Sequence, residues 1–471
     1  MKNIKFMYSK ITLLSGLLLV VMMSCERDIS VQTEFAHLSK TGDIFTDSPI
    51  DLGSNFYFPY TGSKPSAWSV DENEGYESAA SMRIDVPNNN DPEGTYAGAI
   101  LRVDGPGRDL TEFDALTFWA KATQGVVIGE IGFGQDFGLN KYEVSETDVS
   151  LSTDWQKYII PIPDPSKLFD ERGMFWYSAG TQNTGGNAYA FWIDELKFEK
   201  LGTIGQPRPA IVNGEDLVQD AFIGLSLQLK GLTQTFNLGS GLNKTVNAAP
   251  SYFDFSSSDP SLVFIDQFGV ITANNGSAVI TATLGAVETE GSLTINTVGG
   301  FNLAPIPTRD PSNVISIFSD SYTNVPVDFF NGYWEPYQTT LSSDFVVDGN
   351  NMIHYTDFNF VGNQFANPTV DATEYSNVHV NIYLPEEPSN LDFLITVRDF
   401  GADQVDGGGD DSFKQLFFDG DDFEPGVWST LEFSIASMQT RNNIGLIIYE
   451  NINGSSLTEL YVDNIYFYKG N

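Results

Sequence analysis

The 471-residue chain contains one cysteine, three histidines and only 24 Lys and Arg against 62 Asp and Glu, a formal net charge of −38. A single Cys25 leaves no disulfide framework and no multi-cysteine zinc site. His37, His354 and His379 lie too far apart in sequence to suggest a histidine metal site or a catalytic triad. The scarcity of basic residues argues against nucleic acid, whose phosphates require clustered Lys and Arg. Beyond the first 25 residues no apolar run approaches the ~18 residues that span a bilayer. Helical periodicity is missing too: no stretch of four turns carries an apolar face at i, i+3, i+4 and i+7.

What is present is 41% hydrophobic and 13% aromatic, with 43 Gly and 22 Pro. That is enough apolar material for several cores, and the length fits about three domains at ~150 residues each. Segments such as 115–120 (ALTFWA) and 155–161 (WQKYIIP) are short, rich in aromatic and β-branched residues, and bounded by Gly, Asn, Asp and Pro. Many short strands with turn signals between them predict an all-β chain of sandwiches or jelly rolls.

Lys2, Lys5 and Lys10 precede an apolar run over 11–23, a basic region followed by a hydrophobic one of the length a secretory signal requires. The run ends in Met22-Met23-Ser24-Cys25, which resembles a bacterial lipobox with Met in place of the usual Leu three residues before the Cys. The resemblance implies removal of 1–24 as a signal peptide and lipidation of Cys25, whose acyl chains would hold the protein at a membrane. An ordinary signal with an incidental Cys is the alternative. Cleavage removes three lysines and no acid, leaving 21 basic against 62 acidic residues and a charge of −41. Residues 25–44 read as a tether.

Three landmarks recur in the same order. Residues 113–121 parallel 375–383, 154–162 parallel 427–435, and 191–198 parallel 460–467; Trp155 and Asp194 thus correspond to Trp428 and Asp463. They predict two modules of one architecture, at 45–201 and 312–471. Between them, 257–266, 269–273 and 278–283 resemble a bacterial immunoglobulin-like domain of the second group. That implies a β-sandwich spacer over 207–298, with Gln206–Pro209 and Pro305–Pro307 as stiff linkers.

Ser152-Thr153-Asp154-Trp155 with Trp192-Ile193-Asp194, and Val427-Trp428 with Tyr461-Val462-Asp463, resemble landmarks of galactose-binding-like jelly rolls among carbohydrate-binding modules. Residues 314–322 and 400–403 resemble an accessory domain appended to glycoside hydrolases of marine-type Bacteroidota. The whole order resembles a surface glycan-binding lipoprotein of a polysaccharide-utilisation system in that phylum. The resemblance implies a non-catalytic protein, lipid-anchored at the outer membrane and exposed at the cell surface. It would capture a glycan, laminarin-type β-1,3-glucan being the best guess, for a TonB-dependent importer with its SusD-like lipoprotein. The acid excess favours a neutral glycan over uronates or sulfates.

Sugar faces are apolar and their rims carry hydroxyls, so glycan sites combine aromatic rings with polar side chains. Tyr333, Trp334 and Tyr337, in a Gly- and Pro-containing loop, are candidate platforms, or else a plug over the sandwich end. Trp176 lies in a run of three rings, and Trp68 in a turn-like stretch. Alternation sets Arg398 opposite Ile395 and Val397, and Glu130 opposite Ile131 and Phe133, as candidate hydroxyl binders or ordinary solvated residues. Trp119, Trp155, Trp192 and Trp428 read as core.

Acid-rich loops at 399–411 and 419–422 offer hard oxygens to calcium but do not fit an EF-hand. The jelly-roll resemblance implies a possible structural Ca2+ at Asp463 with Ser319 or Asp320, and at Asp194; no organic cofactor is implied. The chain lacks the Glu-x-Asp-x-x-Glu signature of related β-glucanases, a Gly-x-Ser-x-Gly elbow, a HExxH helix and a P-loop. A structural or adhesive surface protein, and an accessory glycoside hydrolase, are the alternative readings.

Overall fold

The computed structural model describes residues 37–332, 334, 336–407 and 409–470. Cys25 and Tyr333 lie outside the described residues. The described chain is built of β-strands joined by turns and short 3-10 segments, and none of its helices is long and apolar enough to cross a membrane.

Each outer module is a sandwich of two sheets. In the first, one sheet runs Trp68–Asp71, Ser81–Val86, Tyr189–Glu199, Ala115–Ala122, Gln156–Pro161, with Asp43–Phe45 also on Tyr189–Glu199. The facing sheet contains Val144–Leu151, Val126–Phe133, Gly173–Ala179, Ala97–Arg102 and Tyr57–Pro59. In the last module the first sheet runs Leu341–Val347, Asn350–Thr356, Leu460–Tyr468, Asn377–Tyr383, Trp428–Ser434, with Val314–Phe318 on Leu460–Tyr468. Its facing sheet runs Phe360–Gln364, Ile444–Asn451, Asp392–Asp399, Ser412–Asp419. Strand order matches between the two modules, and each sequence landmark falls on the corresponding strand. The repeat is therefore a repeat of architecture.

Alternation explains the burial. In Ala115–Ala122, Leu116, Phe118 and Ala120 enter the core, while Thr117, Trp119 and Lys121 point away. Tyr189–Glu199 does the same with Phe191 and Ile193 inward and Trp192 outward.

The middle unit contains Asp216–Ile223 parallel to Ser292–Gly300, followed in that sheet by Ser277–Leu284 and Asp254–Ser257. It is joined to both neighbours by main-chain pairing. Asn243–Ala248 pairs with Val144–Leu151 (Asn247 opposite Ser145), so three strands of the middle region extend the first module's second sheet to eight. Leu225–Gln228 pairs with Leu341–Val347 and carries the last module's first sheet across the other seam. Gln206–Pro209, expected as a linker, is instead part of the strand Gly205–Ala210 at the edge of the eight-stranded sheet, where proline is tolerated. One hydrophobic core runs from Ile44 through Ile295 and reaches Phe345, Trp428 and Tyr461; a second fills the last module.

Candidate functional site

The second sheet of the first module turns Ala97, Ala99, Leu101, Ile128, Ile131, Phe133, Phe175, Tyr177 and Ala179 into the core. The opposite face therefore carries Gly98, Ile100, Arg102, Glu130, Gly132, Trp176, Ser178 and Ser145. Register places these as neighbours: Gly98 beside Ser178, Ser178 beside Glu130, Ile100 beside Trp176, Trp176 beside Gly132, and Gly132 beside Ser145. Glycine at 132 is required first by the neighbouring strand, a Cβ there lying 2.0 Å from Val144 O, and then by the indole, with Trp176 Nε1 at 2.9 Å. Gly98 is similarly overlain, with the rings of Tyr96 and Tyr60 at 2.8 and 2.9 Å from a Cβ at that position.

Trp176 is only 4% exposed although it lies on the outer face, and its indole N–H has no partner among the described residues. Around it runs a polar network. Ser145 Oγ donates to Glu130 Oε1 at 2.6 Å, Tyr60 Oη donates to Gln135, and Gln135 Nε2 donates to Glu143 Oε1 at 2.7 Å. Burial raises the pKa of Glu143 and, with the charge of Glu143, that of Tyr60. At one rim the Arg102 guanidinium sits 4.7 Å from the ring of Phe58 and 5.2 Å from that of Phe137. Two open clefts flank the face. One of about 740 Å³ is bounded by Tyr96, Ser178 and Gln182; one of about 480 Å³ by Glu143, Ser145 and Asn247.

The last module repeats the arrangement with a more apolar surface. Opposite its core the four strands present Phe360 with Glu450, Leu394 and Phe417; Gly362 with Ile448, Thr396 and Gln415; and Gln364 with Leu446, Arg398 and Phe413. Phe413 and Phe417 are 58% and 64% exposed. Trp334 comes from the loop before Leu341, covers Gly362 and stacks on Phe360 with centroids 5.9 Å apart. Gly98 and Gly362 sit on corresponding strands, so Tyr60 and Trp334 are the same device: a ring from the first long loop laid over a glycine.

The sequence candidates thus fall into separate places. Trp176 and Glu130 share the first face; Trp334 and Arg398 share the second, with Tyr337 exposed in the adjoining loop. Arg398 is paired with Asp406 at 3.1 Å and Asp411 at 3.4 Å, so the acid-rich loop closes over it. Trp68 lies on the other sheet of its module, stacked on Tyr57 at 5.4 Å and edge-on to Phe56.

The proposed calcium donors are engaged by protein groups. Asp194 accepts from Tyr76 N, Ser78 Oγ and Glu195 N. Asp320 accepts twice from Asn351, Asp463 accepts from Asn464 N, and Ser319 Oγ donates to Asn464. Burial, and to a smaller extent the charge of Asp320, raise the pKa of Asp463 to about 7. Among the described residues no group of three or more His, Cys, Asp and Glu is placed to hold a metal ion.

Three tryptophans expected in the core are not there. Trp119, Trp155 and Trp192 are half-buried on the outer side of the first module's other sheet. Tyr76 stacks on Trp119 at 3.7 Å, and Lys121 lies over both Trp155 and Trp192. Lys121 shares Trp119's strand parity, and this is the signal that could have placed them. Trp428 is buried as expected, its Nε1 donating to Asn302 O at 2.6 Å at the second seam.

Residues 43–200 match the family described as carbohydrate binding domain 30. Similar solved structures include a family 30 carbohydrate binding module at 20% identity, covering 34% of this chain and 87% of that one with a TM-score of 0.25. Another is the family 30 module of a cellulosomal cellulase of Clostridium thermocellum, at 19% identity, 34% and 96% coverage and a TM-score of 0.24. A β-1,2-glucanase from Parabacteroides distasonis is 12% identical over 57% of this chain and 40% of its own, with a TM-score of 0.24. No curated protein matches the chain.

Proposed function

We propose that the protein binds a neutral polysaccharide without cleaving it, at the surface of the cell to which Cys25 anchors it. The observation that carries this reading is the open face around Trp176, Glu130, Ser178 and Ser145, in a module that matches a carbohydrate-binding family. Trp176 is itself covered, so the rings offered to a ligand are the half-buried Tyr60 and Tyr96 over Gly98; beside carboxylate, hydroxyl and amide groups they suit a ligand with apolar faces and hydroxyl rims. The face around Trp334 and Arg398 supplies a second grip, and its exposed Phe413 and Phe417 favour a flatter, more apolar contact.

The acid excess opposes acidic glycans and favours a neutral one; among neutral glycans, laminarin-type β-1,3-glucan is the choice that the resemblance to surface glycan-binding lipoproteins implies. In this reading the bound chain is handed to a TonB-dependent importer and its SusD-like lipoprotein in the outer membrane. A structural calcium belongs to the same reading, with Asp463, Asp320 and Ser319 as an oxygen-only donor set; a melting temperature insensitive to chelator would remove it. Affinity electrophoresis of the full chain against laminarin, mixed-linkage β-glucan, and neutral and acidic control polysaccharides tests the function. Retardation in a neutral glucan gel is expected. Retardation by none supports an adhesive role instead, and release of reducing ends would make the protein a hydrolase.

A further inference from the structure

The first module's open face does not end at its own last strand. Val144–Leu151 would be the edge of an isolated module, yet Asn243–Ala248 of the middle region is hydrogen-bonded to it. On the outer face Asn247 stands directly opposite Ser145, and its Nδ2 donates to Ser145 Oγ at 3.3 Å, the same hydroxyl that donates to Glu130. From Ile100 through Trp176, Gly132 and Ser145 to Asn247 the row crosses five adjacent strands, about 19 Å at ~4.8 Å per strand, with Glu130 reaching it through Ser145. The 480 Å³ cleft is then completed by both units: Glu143 and Ser145 come from the first module, Asn247, Gln228 and Phe268 from the middle one.

The junction holds these groups in a fixed relation. Ala249 N donates to Glu143 O at 2.8 Å, Tyr252 Oη to Tyr142 O at 3.0 Å, and the two tyrosine rings lie 5.4 Å apart inside the shared core. Gln228, which lines the cleft, is fixed in turn by donating through Nε2 to Phe268 O at 2.9 Å.

We propose that the immunoglobulin-like unit is part of the binding site: Asn247 and Gln228 contact the hydroxyls of a polysaccharide chain as it runs off the first module. The inference rests on the proposed glycan binding and adds to it a dependence on ligand length. A unit that serves only as a spacer has no such dependence.

The test is titration of the full chain, wild type, Glu130→Gln and the double variant Asn247→Ala/Gln228→Ala, with β-1,3-gluco-oligosaccharides and β-1,4-gluco-oligosaccharides of increasing length. Asn247 and Gln228 are exposed, so the double variant should melt with the wild type. Expected is a loss of about tenfold for the longest oligosaccharides, with the shortest that binds unchanged. Equal affinity of wild type and double variant at every length overturns the composite site while leaving glycan binding intact. Equal weakening at every length also overturns it, because the two residues would then act through the first module alone. No binding of any oligosaccharide by the wild type overturns this inference together with the reading beneath it.

Discussion

Asp194 and Asp463 occupy the same bulge of the same strand in the two outer modules. Each accepts the backbone N–H of the following residue, at 2.7 and 2.6 Å, and in each case that residue has a positive φ, 48° at Glu195 and 52° at Asn464. The landmark aspartate of the sequence repeat is thus a bulge former, satisfying a donor that the ladder cannot reach. The two differ in one respect: Asp194 also holds down the 72–80 loop through Tyr76 N and Ser78 Oγ. Asp194→Ala should therefore cost more than Asp463→Ala by roughly 3 kcal/mol or more, because it loses two further hydrogen bonds and those to charged groups are worth ~1.5–3 kcal/mol each. Denaturant unfolding reads the difference. Loss of the Tyr76–Trp119 stack in near-ultraviolet dichroism should accompany only the first variant.

Calorimetry should resolve two transitions. The first module and the middle unit share a core, while the last module has its own. Tyr252→Ala, at the first seam, should lower the first transition by several degrees and leave the second in place. Independent melting of the middle unit would contradict the shared core.

Glu171 makes the first transition pH-dependent. Its burial lifts its pKa to about 7, partly offset by the N–H groups of Gly173 and Arg172, which donate to Oε1 at 2.8 and 3.0 Å. A carboxyl with a raised folded pKa binds its proton more tightly in the folded state than in the unfolded chain. Its contribution is fully present below the unfolded value near 4.5 and is lost as pH rises through about 7. The first melting temperature should therefore fall between about pH 4.5 and 7, and Glu171→Gln should flatten that slope while sparing the second transition.

Trp334→Ala removes the ring that covers Gly362 and should weaken glycan binding at the last module on the order of tenfold. The first module's binding should persist, so polysaccharide titrations would lose one class of site and keep the other.

Charge sets the salt response. Affinity for a neutral glucan should change little between 0.05 and 0.5 M salt, whereas any contact with an acidic glycan should strengthen as salt screens the protein's negative field, the Debye length falling to ~3 Å at 1 M. Affinity electrophoresis across salt concentrations measures both.

Much of the architecture was legible because its landmarks are local. Trp155, Asp194, Trp428 and Asp463 mark strand starts and bulges, whose residue requirements persist in sequence. Facing was harder. Trp119 and Trp192 sit among strand residues that suit either side of a sheet, and only the company of Lys121 and Asp194 at the same parity reveals the outward face. Trp176 and Glu130 were singled out by alternation, and their meeting with Ser145 follows from strand register, which no local pattern specifies. The seams were not legible at all. Pairing between Ser145 and Asn247, or between Leu225 and Val347, uses backbone groups that every residue carries. A unit resembling a spacer therefore concealed its place in an eight-stranded sheet.

The most direct test is titration of the full chain with a neutral β-glucan, wild type beside Glu130→Gln, with the sugar analysed for chain length afterwards. Expected are saturable binding by the wild type, at least tenfold weaker binding at the first module in the variant, and glucan recovered at its original length. Absence of binding, or recovery of shortened chains, would contradict it.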